Sequence, residues 1–132
     1  MFFESFNRNS MMLGLRTTAY IVKDLNTAKA WYSKAFKTGP YFDESYYVGF
    51  NIQGYELGLM PEGDETNLKG ENVLSYWGVE NIHEEFNRLL ALGATEHEKP
   101  TNVGGELMVC SVKDPWQNII GIIYNPYFKL PE

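Results

Sequence analysis

The chain is poor in the residues that most chemistry needs. Its 132 residues hold one cysteine, Cys110, and two histidines, His83 and His97. A single thiol cannot close an internal disulfide, which fits a reducing compartment and sets the expectation of a cytoplasmic protein. No zinc spacing, no Walker loop and no Ser-His-Asp order can be read from the sequence. Basic residues are scarce: 11 Lys and Arg stand against 17 Asp and Glu, for a net charge of −6. Without a basic stripe, nucleic acid and an anionic membrane are excluded as expected partners. No apolar run reaches the length that spans a bilayer. The opening "MFFESFNRNSMM" lacks a basic start followed by an apolar core, so it does not read as a signal peptide.

What is present is apolar and aromatic. Hydrophobic residues make up 44% and aromatics 15%, which excludes wholesale disorder, and the length suits one domain. "LGLRTTAYIVKD" predicts a strand from about Leu15 to Val22. Asp24 then caps a helix whose apolar positions Leu25, Ala28, Trp31, Tyr32, Ala35 and Phe36 follow helical spacing, with Gly39 as its stop. Three short β-rich runs follow, "YFDES", "YYVGFNIQ" and "YELGLM", the last two joined by a Gln53-Gly54 turn. Pro61 to Asn72 is polar and turn-rich, hence a loop. The order then repeats. "VLSYWGV" is a strand, and Asn81 and Glu84 are spaced as a capping box ahead of a helix that ends at Gly93. "ATEHEKP", "ELMVCSV" and "NIIGIIYN" complete a second set of three strands. The junctions Val22-Lys23-Asp24-Leu25 and Val79-Glu80-Asn81-Ile82 match in character. The chain is thus a two-fold repeat with a unit of about fifty residues.

Two βαβββ units, "VKDLNTAKAWYSKAF" after the first strand, and the turn "DPWQN" before the last strand together resemble the vicinal oxygen chelate superfamily of glyoxalase I, bleomycin-resistance proteins and extradiol dioxygenases. One departure is Gln117, where this turn more often carries glycine. The resemblance implies an α+β fold. Two βαβββ modules form a curved, mixed, eight-stranded sheet around a concave pocket, with helices on the outer face. The expected organisation is an N-terminal arm (1–12), one domain (13–126) built from repeats 13–60 and 73–126, and a tail (127–132). Members of this length pair, so a homodimer is expected.

In metal-dependent members, four strands each offer one inward ligand, and such N/O sets suit Zn, Ni, Mn or Fe. By resemblance those positions fall here on Thr17, on Gly58 (or Glu56, two residues away on the same face), on Leu74 and on Gly121. Three of them offer no useful donor. The expectation is therefore no metal and no cofactor. Strand parity extends a ligand-binding face through Thr17, Ala19, Glu56, Gly58, Met60, Leu74, Tyr76, Gly121 and Ile123, with Ile21 and Ile119 beside them. Tyr20, Val22, Trp77, Val79, Ile120 and Ile122 should face the helices. Gly121 reads either as a spacer for a ligand or as relief from crowding in a curved sheet. Tyr46, Tyr47 and Phe50 read as core or dimer contact, Trp116 as a cover for a pocket mouth or a subunit contact, and Cys110 as an inert buried thiol.

Three functions follow from this reading. The first is a metal-free protein that binds a small apolar or aromatic molecule in the concave sheet. The second is a lyase, isomerase or dioxygenase of the superfamily with an atypical site, using Glu56 or a tyrosine for acid–base chemistry. The third is an interaction protein whose pocket is vestigial. The catalytic residues and the ligand's identity are not readable from the sequence.

Overall fold

The structure, a computed structural model, describes residues 12–63 and 68–128. The arm expected over residues 1–12 and the tail over 127–132 therefore lie outside the described residues, apart from Met12, Tyr127 and Phe128. The elements run β1 (Thr17–Val22), α1 (Leu25–Ala35), β2 (Phe42–Glu44), β3 (Tyr47–Ile52), β4 (Tyr55–Pro61), β5 (Tyr76–Gly78), α2 (Ile82–Ala91), β6 (Thr95–Gly104), β7 (Leu107–Lys113) and β8 (Ile119–Tyr124). This is the βαβββ order twice over, an α+β fold. Among the described residues, eight strands fall into two hydrogen-bonded sheets of four, ordered β1-β4-β3-β2 and β5-β8-β7-β6. In each, the first strand of the module pairs in parallel with the last, and the rest pair antiparallel.

Helix starts follow the sequence closely. The Asp24 carboxylate accepts from the Thr27 amide at 3.2 Å, and the Asn81 side chain accepts from the Glu84 amide at 3.1 Å. Each cap stabilises its helix by about 1 kcal/mol. Helix ends follow less well. α1 stops at a Phe36 cap, and Lys37, with φ +56°, takes the left-handed position expected of Gly39. Gly93 does fill that role after α2, with φ +108°. Gln53 and Gly54 both take positive φ, which closes the β3–β4 hairpin with the twist the strands need.

Each helix lies on one sheet, α1 against β3 and β4, and α2 against β6, β7 and β8. One core joins the two modules. Tyr20, Val22, Phe50, Leu57, Ile120 and Ile122 are buried in it, and Trp77 and Val79 are packed at its margin. Outer-layer contacts stitch the modules together. The Trp31 indole donates to the Leu92 carbonyl at 2.8 Å, and Arg88 donates to the Ala35 carbonyl at 2.6 Å. The Phe36 and Trp77 rings meet edge to face at 5.3 Å. Trp116 packs edge-on against Trp31 at 6.3 Å.

The turn before β8 is organised around Asp114, which is 1% exposed. Its carboxylate accepts from the Tyr32 hydroxyl (2.6 Å), the Trp116 and Asn118 amides (2.8 Å each) and the Asn118 side chain (3.0 Å). Burial and the nearby Asp114 charge raise the Tyr32 hydroxyl well above its ordinary pKa. Gln117, with φ +71°, takes the left-handed conformation that Asn118 tolerates better. The Asn118 side chain instead reaches across to the Ile21 carbonyl at 2.9 Å.

Candidate functional site

The face turned away from the helices is built from alternate residues of each strand. In the first sheet, register sets Thr17 beside Glu56, Ala19 beside Gly58 and Ile21 beside Met60. Asn51, Gly49 and Phe42 continue those rows. In the second sheet, Tyr76, Gly121 and Ser111 form one row, and Gly78, Ile123 and Val109 the next. The structure therefore brings Thr17, Ala19, Glu56, Gly58 and Met60 together on one sheet. It gathers Tyr76, Gly121 and Ile123 on the other, with Leu74 exposed just ahead of β5.

Glu56 is the charged centre of the first sheet's face. It accepts a hydrogen bond from the Thr17 hydroxyl at 2.7 Å and another from the Tyr41 hydroxyl. These bonds, Tyr41's first, hold its carboxyl below the usual range, and Tyr47 adds a smaller contribution. The Tyr41 phenol is raised in turn by its bond to Glu56, and the Tyr47 phenol by burial and then by the Glu56 charge. Two glycines make this possible. A Cβ at Gly58 would stand 2.7 Å from Cζ of Tyr47, and one at Gly49 would stand 3.1 Å from Cε1 of Tyr41 and 3.2 Å from Cε2 of Tyr47. Ordinary side chains there would lift both rings off the sheet.

Of the trio Tyr46, Tyr47 and Phe50, Tyr47 is thus a face residue and not part of the core. Phe50 alone of that trio is core, at 0% exposed, while Tyr46 is 64% exposed. The parity was visible in "YYVGFNIQ": Tyr47, Gly49 and Asn51 alternate with Val48, Phe50 and Ile52.

Gly121 has a different neighbour. A Cβ there would collide with the Ser75 backbone carbonyl and approach Cδ1 of Tyr76 at 2.8 Å. The Gly121 amide donates to that same carbonyl at 3.1 Å. The space a side chain would need is filled by the chain itself.

Four further side chains carry no signal in the sequence. The Ser111 hydroxyl, 3% exposed, bonds His97 Nδ1 at 2.7 Å, and His97 Nε2 bonds Glu71 at 2.6 Å. Strand parity is obscured there because β6 is irregular between Glu96 and Thr101. Lys69 donates to the Ile21 carbonyl at 2.5 Å and to Asn118 at 3.2 Å. It lines a cavity of about 380 Å³ along β1, shared with Thr17, Ala19, Ile21, Ser75 and Ile119.

The four positions that the resemblance assigns to metal ligands do not make a ligand set. Glu56 supplies the only carboxylate, and both its oxygens already accept hydroxyl protons. Thr17 spends its hydroxyl on Glu56, Leu74 has no donor, and Gly121 is covered by Ser75 and Tyr76. Among the described residues, no three His, Cys, Asp or Glu side chains converge to hold an ion. No described helix is long and apolar enough to cross a membrane.

The sequence model of the Glyoxalase/Bleomycin resistance protein/Dioxygenase superfamily matches residues 14–122. No curated protein sequence matches the chain. Among solved structures, a glyoxalase-related enzyme from Fulvimarina pelagi superposes with a TM-score of 0.73 at 18% identity, covering 91% of this chain and 94% of that one. The fosfomycin resistance protein FosX from Listeria monocytogenes superposes with a TM-score of 0.72 at 24% identity, covering 89% and 97%. A glyoxalase/bleomycin resistance protein from Albidiferax ferrireducens gives 0.70 at 18% identity, covering 85% and 98%. At these identities the likeness is one of fold.

Proposed function

This chain belongs to the glyoxalase/bleomycin resistance protein/dioxygenase superfamily, and on that premise we propose that it is a metal-free member that binds a small molecule on its helix-free face and works as a homodimer. The observation that carries the proposal is the state of the ligand positions. Glu56 is committed to Thr17 and Tyr41, and the place of a Gly121 side chain is taken by the Ser75 carbonyl. What remains on that face is aromatic and apolar, with Met60, Leu74 and Tyr76 each between 37% and 40% exposed. A concave apolar lining with a few fixed polar groups is the usual make-up of a small-ligand site. The same exposed apolar surface favours a pairing that covers part of it.

Native mass spectrometry of the purified protein tests both halves of the proposal. The expected ion has about twice the 15.2 kDa chain mass and carries no bound divalent metal. A small molecule retained in that ion supports the binding reading directly. It should also raise the unfolding free energy when added back, by about 2.7 kcal/mol at a hundred times its dissociation constant. One tightly held metal ion per chain would overturn the metal-free reading, and a 15.2 kDa ion at micromolar concentration would overturn the dimer.

A further inference from the structure

We infer that the shelf formed by Tyr41, Phe42, Tyr47 and Glu56 is a receptor for an organic cation of the alkylammonium or quaternary ammonium class. This rests on the proposed small-molecule reading of the helix-free face and names the ligand chemistry for one part of it.

The argument starts from where the hydroxyl protons go. Thr17 and Tyr41 both donate into the Glu56 carboxylate. A hydroxyl has one proton, so once it is given to Glu56 only lone pairs remain on its outward side. Tyr47 adds a third phenol close to the same carboxylate. The ring faces are also electron-rich, since an aromatic quadrupole is negative above its plane. The shelf therefore shows an approaching ligand acceptors and π faces around a fixed negative charge, with the Thr17 and Tyr41 protons already committed to that charge. Glu44 adds a second carboxylate on the same face, since register pairs it with Tyr47.

The geometry suits a bulky cation. Tyr41 and Tyr47 flank Gly49, and Phe42 stands 6.1 Å from Tyr47 with the rings tilted by 56°. Tyr41 is 64% and Phe42 38% exposed, so the rings are open to a ligand. Glu56 is half-buried beneath them. A hard divalent ion is a poor fit, because it demands six or more oxygen ligands and finds two carboxylates, of which Glu56 is already occupied. A diffuse, weakly hydrated cation asks only for ring faces and one nearby negative charge. An anion would meet the Glu56 charge and the outward lone pairs of Thr17 and Tyr41.

Choline and 3,3-dimethylbutan-1-ol make a matched pair of probes, alike in shape and differing in charge. The readout is titration of amide resonances on the intact protein, followed at Gly49, Glu56 and Gly58. Choline should shift these three amides, and the neutral alcohol should bind at least tenfold more weakly. Glu56→Gln should weaken choline at least tenfold while leaving the melting temperature near that of wild type. Tyr47→Leu, which removes a ring and leaves the charge, should weaken choline severalfold and serves if the glutamine variant is unstable. Equal affinity for both probes at these amides overturns the cation inference and leaves the small-molecule reading standing. Choline shifts confined to other residues, or no shift at all, also overturn the inference. The broader reading is then decided by the native mass measurement alone.

Discussion

At the residue scale, two glycines on the same face do different things, and the difference is measurable. Gly121 lies under a backbone carbonyl, that of Ser75. Backbone in a parallel ladder cannot move aside without breaking its pairing, so Gly121→Ala should cost about 1–3 kcal/mol through overpacking. Gly58 lies under the Tyr47 ring, whose Cζ and Cε1 would be 2.7 and 2.8 Å from an added Cβ. That ring is half-buried and can swing outward, so Gly58→Ala should cost less stability while displacing Tyr47 from Glu56. Urea unfolding of both variants checks the order. A neutral Gly121→Ala would show that Ser75 yields and would restore the spacer account. The sequence marks Gly121 as special, and the register sets it in one row with Tyr76 and Ser111. The sequence cannot say what lies against it, because Ser75 is distant in sequence and reaches it only through the parallel β5–β8 pairing.

At the element scale, the turn from Asp114 to Asn118 carries the most concentrated chemistry in the fold. One buried carboxylate collects four donors, two from the backbone of its own turn and one from Tyr32 of α1. It thereby ties the second module's last hairpin to the first module's helix. Asp114→Asn puts an amide NH₂ against donors in either orientation, which should cost on the order of 3 kcal/mol. Gln117→Gly works the other way. Gln117 sits at φ +71°, where a Cβ is strained, so glycine should gain up to about 1 kcal/mol. Opposite shifts in the urea midpoint would confirm the pair, and a destabilising Gln117→Gly would mean that the glutamine side chain makes a contact that outweighs its strain. Here the sequence is legible for a physical reason. Caps and turns are local, so Asp24, Asn81, Gln53-Gly54 and the Asp114 turn announce themselves within a few residues. The end of α1 is not legible, because Lys37 takes a conformation that glycine two residues on would have taken more easily. β6 runs to ten residues where a short strand is expected, since its pairing with β7 tolerates register shifts that erase the alternating pattern.

At the scale of the whole molecule, the repeat is readable and the seam is not. Periodicity reveals two modules, but nothing in it foretells that the sheets remain two ladders of four, joined by the shared core and the outer-layer contacts of Trp31, Tyr32, Phe36 and Arg88. That core has a titration signature. Burial pushes the Tyr20 hydroxyl up to about 12 and the Cys110 thiol up to about 11, and the Tyr32 hydroxyl lies well above its ordinary value. In the unfolded chain these groups lose their protons near 9.0 for the thiol and 10.0 for the phenols. Folding therefore holds protons that unfolding releases. Their contribution to stability is complete below about pH 9 and falls as pH rises, first through the thiol and then through the tyrosines. While only the folded chain holds a given proton, the loss is about 1.4 kcal/mol per pH unit for that group. Urea midpoints measured at pH 8, 9.5 and 11 should fall progressively, with the steeper step above pH 10. Cys110→Ala separates the contributions. With no thiol to titrate, the variant should lose little between pH 8 and 9.5 and should fall less steeply than wild type from there to pH 11, where the thiol's own loss continues. An identical profile for both proteins would mean that the thiol is not held protonated by the fold, and a flat profile to pH 11 would mean that the tyrosines at the seam are open to solvent.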